Sequence, residues 1–255
     1  MTDEVAVLKN VTKRYGNQLA LNDFSYSFPN GQIIGVLGPN GSGKSTLFRL
    51  MTGLTYANKG EVEVMGKEPG WQTNREIAYL PDRARWYAHH TVREAFNFAE
   101  KLFPGFDRSH AELLASHMKV NLGMRVGGMS RGQEARLMLI LCMARNVPLI
   151  ILDEPFSGID TISREQIIDG LINYMSEINE HDVSDSLRGK GERRNSDGTY
   201  FRRTVLISTH EIYEAESLFD HAVFLNEGQV VLAGEADVLR GQYGSMRSIL
   251  QKLYA

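Results

Sequence analysis

Cysteine is almost absent. The 255 residues hold one, Cys142, so no disulfide can form within the chain. Its neighbours from Leu137 to Ala144 are mostly apolar, which makes it a small core residue rather than a reactive thiol. A chain without cross-links fits a reducing, cytosolic setting. Long apolar runs are missing too. No stretch reaches the roughly 18 apolar residues that a helix needs to cross a bilayer. The segment from Met1 to Lys9 is polar and acidic, where a signal peptide has basic then apolar residues. Any membrane role is therefore expected to come through a partner. Nor does either charge dominate. Lys and Arg number 28 against 31 Asp and Glu, a net charge of −3, which gives no overall attraction to nucleic acid. What remains, 42% hydrophobic and 23% charged, is an ordinary globular make-up. The length suits one large domain or two intimately joined ones.

Along the chain, residues 5–11 and 19–28 alternate and carry β-branched and aromatic side chains, so both read as strands with a turn at Pro29-Asn30-Gly31. An apolar strand over 33–37 precedes a helix over about 44–52, and short strands follow at 62–65 and 77–80. From Thr91 to about Arg145 helical periodicity takes over. Thr91-Val92-Arg93-Glu94 reads as a capping box opening a helix that Pro104-Gly105 ends. Further helices are expected over about 107–119 and from near Ser130. The continuous apolar run 149–152 fits a parallel strand covered on both faces. A helix over 161–178, a strand over 205–208 and a helix over 211–219 follow. The chain ends with a hairpin over 221–226 and 229–233 and a mostly helical 235–254. Residues 180–203 are polar and of mixed charge, and read as a mobile insertion or a docking loop. There is no internal repeat.

The chemistry starts at Gly38-Pro39-Asn40-Gly41-Ser42-Gly43-Lys44-Ser45-Thr46. This is the G-x-x-x-x-G-K-[ST] pattern, placed between a strand and a helix. Its glycines permit backbone shapes that a Cβ forbids. Successive N–H groups then form a nest for anionic oxygens, and the helix start adds its positive dipole end. Lys44 can reach the β and γ phosphates of a nucleotide, and the Ser45 hydroxyl can ligate Mg2+. A second element, Leu149-Ile150-Ile151-Leu152-Asp153-Glu154, is an apolar strand ending in acids, the Walker B arrangement. Asp153 is expected to hold Mg2+, usually through water, and Glu154 to polarise an attacking water as general base.

With these motifs in place the chain resembles an ABC-type ATPase, the nucleotide-binding subunit of an ATP-binding cassette transporter, over about residues 5–240. Met129-Ser130-Arg131-Gly132-Gln133 is similar to the family signature, and Ser157-Gly158-Ile159-Asp160 to the loop after Walker B. His210, after Ser208-Thr209, matches the switch histidine, and Tyr15 the aromatic that stacks on adenine. The resemblance implies an α/β fold: a P-loop core with a mostly parallel sheet, an N-terminal antiparallel β lobe and a helical subdomain inserted at 83–145, all in one ATPase domain over 1–255. It implies hydrolysis of MgATP in a head-to-tail dimer, with Ser130, Gly132 and Gln133 serving the opposite subunit's nucleotide and Asp160 lining the interface. His210 would contact the γ-phosphate. Catalysis falls to Lys44, Glu154 and His210, and metal binding to Ser45, Asp82 and Asp153. The implied partners are a second ATPase subunit and an integral membrane permease that places the chain on the inner face of the cell membrane.

Two features depart from the family. Arg131 replaces the first signature glycine, at the most variable position of that motif. Asp82 stands where the family usually has Gln; it keeps an oxygen ligand on a shorter arm and adds a negative charge, so it is expected to ligate Mg2+ directly or through water. The following run, Arg83-Ala84-Arg85-Trp86-Tyr87-Ala88-His89-His90, is unusually aromatic for a loop. Trp86 and Tyr87 are either anchors for the permease or local packing. His89-His90 is a poor metal site without further ligands. The lean is toward bacterial exporter ATPases of the drug or peptide type. A non-transport ABC ATPase is the alternative, although translation-associated members carry two cassettes in one chain and chromosome-maintenance members a long coiled coil. An ordinary P-loop kinase or GTPase is disfavoured by the signature and His210.

Overall fold

The computed structural model of the chain describes residues 3–181, 193–194, 200–201, 203–210 and 215–254. Two strands open it, β1 (Glu4–Tyr15) and β2 (Gln18–Pro29), followed by β3 (Ile33–Leu37), α1 (Lys44–Met51), β4 (Lys59–Val64) and β5 (Ile77–Leu80). Then come α2 (Val92–Leu102), α3 (Arg108–His117), α4 (Arg131–Met143), β6 (Leu149–Asp153) and α5 (Thr161–His181). The two-residue strands β7 (Arg193–Arg194) and β8 (Tyr200–Phe201) pair with each other. The chain closes with β9 (Thr204–Thr209), β10 (His221–Asn226), β11 (Gln229–Glu235), α6 (Ala236–Tyr243) and α7 (Met246–Tyr254).

The main sheet runs β11-β10-β3-β9-β6-β5 and is parallel except for the β10–β11 hairpin. Its inner strands are short apolar runs with every residue of β3, β6 and β9 buried, as covering on both faces requires. A smaller antiparallel sheet, β2-β1-β4, forms the N-terminal lobe. There the alternation of buried and exposed residues breaks at several register shifts, so β1 and β2 outrun the alternating windows in the sequence.

Among the described residues two apolar clusters form the core. One lies between the β lobe and one sheet face and includes Phe24, Phe28, Leu47 and Phe48. The other joins α2, α3 and α4 to the opposite face, packing Phe96, Leu114 and Ile140 with Leu37, Leu152 and Ile207. The helical insert therefore shares its core with the sheet, and truncating a side chain such as Phe96 to alanine would cost about 3–5 kcal/mol. The Thr91/Glu94 capping box is formed as the sequence predicts.

The expected helix over 211–219 is corrected where it is described. Residues 211–214 lie outside the described residues, and Glu216–Leu218 is a single 3-10 turn. Phe219 is extended because its ring packs on Gly35, and Asp220 ties the chain to β3 through Asp220 N to Ile33 O (2.9 Å) and Ile33 N to Asp220 Oδ2 (2.8 Å). Helix geometry would break that entry into β10. Most of the 180–203 insertion lies outside the described residues. Among the described residues no helix is long and apolar enough to cross a membrane.

Candidate functional site

Strand order decides where the motifs meet. β3, β9 and β6 are neighbours and point the same way, with Leu37 beside Thr209 and Asp153 beside Ser208. The phosphate loop, His210 and the Asp153-Glu154 pair therefore leave the sheet at the same end, outside the carboxyl ends of the strands, where parallel α/β sheets bind ligands.

The phosphate loop wraps the start of α1. Gly43 caps that helix in the left-handed region (φ 109°), and a Cβ there would also strike the Ala20 carbonyl at 2.7 Å. No side chain caps the helix, so its first-turn amides keep their donors for an incoming anion. The loop is held from behind by the β10–β11 turn: Gly228 N donates to Ser42 O at 3.0 Å, and Asn22 N donates to Gly228 O at 3.1 Å. Ser42 Oγ is buried without a hydrogen-bond partner, an orphan of the sort a bound polar ligand satisfies.

Lys44 is buried and directs its ammonium at Gly38 O (2.8 Å), Pro39 O (3.2 Å) and Glu154 Oε1 (3.3 Å). The other oxygen of Glu154 accepts from His210, at 2.8 Å from Nδ1 and 3.3 Å from the backbone N. Glu154 thus sits between a lysine and a histidine. It does so in the left-handed region (φ 51°), which is uncommon for a residue with a Cβ and recurs at functional sites. Ser208 holds that turn, accepting from Glu154 N with both its carbonyl (3.1 Å) and its hydroxyl (2.9 Å).

Asp153 is buried at the strand end. Its Oδ1 accepts from Ser45 Oγ (3.1 Å) and Ser208 Oγ (2.7 Å). Burial pushes its carboxyl above the ordinary range; the two hydroxyls pull it back, and the charges of Glu154 and Asp82 push it up again. Tyr79 sits over the other oxygen at 3.4 Å, and burial raises its phenol. This set of hydroxyl and carboxylate oxygens fits a hard divalent cation that keeps waters and takes phosphate oxygens. Among the described residues no cluster of three His, Cys, Asp or Glu forms a complete cage.

A cleft of about 320 Å³ opens between these groups and the β lobe. It is lined by Tyr15, Gln18, Asn40, Gly41, Gly43, Lys44, Ser45, Thr46, Arg49, Asp82 and Glu154. The sequence-predicted Tyr15, Asp82 and phosphate-loop residues are therefore brought together. Tyr15 is 43% exposed, with Lys13 Nζ 4.9 Å from its ring centre. Asp82 is exposed and pairs loosely with Arg83 at 3.6 Å.

Ser130, Gly132 and Gln133 do not line this cleft. Ser130 caps α4 in a reciprocal box: its Oγ accepts from Gln133 N (3.3 Å) and its N donates to Gln133 Oε1 (2.8 Å). Gly132 is buried against Ser163 and Asp160, and a Cβ would collide with both. Asp160 accepts from Ser163 N, which holds its carboxyl below the usual range. Arg131 lies across Gly158 and, with Asp82 and Glu154, lines a neighbouring groove of about 360 Å³.

For Trp86 the structure favours local packing. Its ring meets Tyr87, Phe98 and Phe103 at 5.6, 5.9 and 6.2 Å, and its Nε1 donates to His90 Nδ1 at 3.2 Å. Tyr87 stays 53% exposed. The residues not anticipated from sequence are Ser208, Tyr79, Gln18 and Arg49; the Gly228 turn is expected as a hairpin, though not as a support for the phosphate loop. Only Ser208 carried a signal, since it stands at a strand end two residues before His210.

A model of the family described as ABC transporter matches residues 21–157. The ABC transporter ATP-binding protein YtrB of Bacillus subtilis (strain 168) is 26% identical over 240 residues, covering 92% of this chain and 74% of that protein. The lantibiotic transport ATP-binding protein SrtF of Streptococcus pyogenes is 26% identical over 234 residues, covering 90% of each. A solved ATP-binding subunit of an ABC transporter shares the fold, with a TM-score of 0.75 at 23% identity, over 98% of this chain and all of that one (100%).

Proposed function

This chain belongs to the ABC transporter family as an ATP-binding subunit, an ATPase coupled to transport, and from that premise we propose that it works as a head-to-tail dimer driving a separate membrane permease. The single observation that carries the hydrolytic chemistry is the placement of Glu154, held between Lys44 and His210 at the end of β6.

The chemistry follows from that placement. A γ-phosphate entering the loop competes with Glu154 for the Lys44 ammonium. Once Lys44 has turned to the phosphate, Glu154 Oε1 is free to accept a proton from water. The water oxygen bonds to the γ-phosphorus, the bridging bond to the β-phosphate breaks, and ADP and phosphate leave. His210 keeps the second carboxylate oxygen fixed, so the base points one way. The uncapped start of α1 and the Lys44 charge take up the charge that develops on the phosphoryl oxygens. Mg2+, held by Ser45 and Asp153 with Asp82 beside them, would neutralise phosphate charge and orient the leaving group. Tyr15 offers an aromatic face to the base. Ser130, Gly132 and Gln133, which do not line the subunit's own cleft, serve the nucleotide of the opposite subunit, and Asp160 lines the interface between the two.

Export is favoured by what two similar proteins do: SrtF is a lantibiotic transport protein, and a Nod factor export protein is 28% identical over 91% of this chain. Tyr87, beside a Trp86 that stiffens its loop, is the outward aromatic we assign to the permease contact. That assignment is lost if Tyr87→Ala leaves recovery with the co-expressed permease unchanged. The dimer reading is tested with Glu154→Gln under MgATP. Hydrolysis should fall about 10²- to 10⁴-fold, and gel filtration should show an ATP-loaded dimer. A variant that stays monomeric with ATP bound overturns the dimer.

A further inference from the structure

Helix α7 is tied at its start to the turn that leads into β10 and near its end to the part of β10 beside the phosphate loop. At its start, Met246 N donates to Glu216 Oε2 at 3.0 Å, and Arg240 of α6 donates to the Glu216 carbonyl at 2.7 Å. Glu216 lies in the short 3-10 turn just before β10. Along its length Met246 and Ile249 are buried, and Leu250 and Leu253 pack against the core. Near its end Tyr254 donates its hydroxyl to the Leu225 carbonyl at 2.8 Å.

That carbonyl is unusually placed. The parallel ladder between β10 and β3 runs to Phe224 beside Leu37, where β3 turns off into the phosphate loop. Leu225 is the next residue of β10, and its carbonyl faces Gly38 so closely that a Cβ on Gly38 would overlap it. Gly38's own carbonyl accepts from the Lys44 ammonium at 2.8 Å. Burial pushes the Tyr254 phenol up to about 12, so it remains a donor at neutral pH. The line of contact thus runs from the Tyr254 hydroxyl to Leu225, to Gly38, to Lys44. Alongside it, Leu250, Gln251 and Tyr254 share a cleft of about 430 Å³ with Gly38, Pro39 and His210.

We propose that Tyr254 is a positioning residue for the phosphate loop, fixing the Leu225 carbonyl against Gly38 so that the Gly38 carbonyl stays aimed at Lys44. It acts through the backbone and touches no reacting atom. The inference rests on the nucleotide-binding reading of that loop.

The test compares Tyr254→Phe with the wild-type chain. Competition of MgATP against a fluorescent adenine nucleotide should show affinity weakened about three- to tenfold, the scale of one lost hydrogen bond. Turnover at saturating ATP should stay within about twofold, because the groups around the γ-phosphate are intact. Hydrogen exchange at the amides of Gly38 and residues 40–43, measured without nucleotide, should quicken. Leu250→Ala, which removes packing and keeps the hydroxyl, should lower the melting temperature without weakening nucleotide binding. Unchanged affinity and exchange in Tyr254→Phe overturns the proposal, as does an equal loss of affinity in Leu250→Ala. The exchange comparison stands apart from ATP binding by the wild type, which tests the parent reading.

Discussion

Two helices begin at motifs that resemble anion sites, and they begin differently. At the start of α1 the cap is a left-handed glycine with no side chain, and Lys44 and Ser45 stand beside open amides that face the cleft. At the start of α4 the cap is Ser130, whose side chain and backbone are both engaged with Gln133. The first helix start is complete within one subunit and lacks only its ligand's oxygens. The second has already satisfied two of its orphan donors, keeps the hydroxyl hydrogen and the amides of Arg131 and Gly132, and does not line the cleft of its own chain. An uncapped start binds an anion alone; a capped one contributes when another surface brings the anion to it. This difference is the physical basis for proposing that the second subunit completes the site.

The largest expected effect is at the first start. Lys44→Ala should lower hydrolysis by about 10³-fold and abolish measurable ATP binding in a single subunit, because it removes the buried ammonium from the γ-phosphate position. Isothermal titration with MgATP checks it, and retained tight binding would break the contrast at its stronger end. Ser130→Ala comes next. ATP affinity of the isolated subunit should stay within about twofold, hydrolysis should drop by about 10²-fold, and stability should fall by about 1 kcal/mol from the lost cap. If Ser130→Ala instead weakens binding to the monomer as Lys44→Ala does, the two helix starts are not distinct. The smallest effect sharpens the metal side of the first site. Asp82→Asn should raise the Mg2+ concentration needed for half-maximal ATPase rate by about tenfold. An unshifted Mg2+ titration removes Asp82 from the metal set.

Much of the first site could be read before any coordinates. The phosphate loop, the apolar strand ending in Asp153-Glu154, the Thr91 capping box and the β10–β11 hairpin each act through backbone geometry within a few residues. What could not be read is how distant pieces support one another. Ser208 bridges Asp153 and Glu154 because β9 lies beside β6, and nothing in the Ser208-Thr209-His210 run announces that pairing. Trp86 had two open readings, and its choice of packing turned on Phe98 and Phe103 lying across from it. The helix expected to reach residue 219 gave way because β10 must start beside β3, and Asp220 is held there by Ile33.

The order of residues was enough to settle the chemistry on offer: a glycine-rich turn before a lysine, acids closing an apolar strand, and a histidine at another strand's end. These are short-range facts, written in allowed dihedrals and in hydrogen bonds that close over three or four positions. Folding settled which of those groups meet. Leu37, Asp153 and Thr209 end side by side because hydrogen-bonded ladders join strands more than a hundred residues apart in the chain, or over fifty for β6 and β9, and Glu154 finds Lys44 and His210 only through that alignment. Long-range pairing depends on how whole faces pack, and no local pattern encodes it.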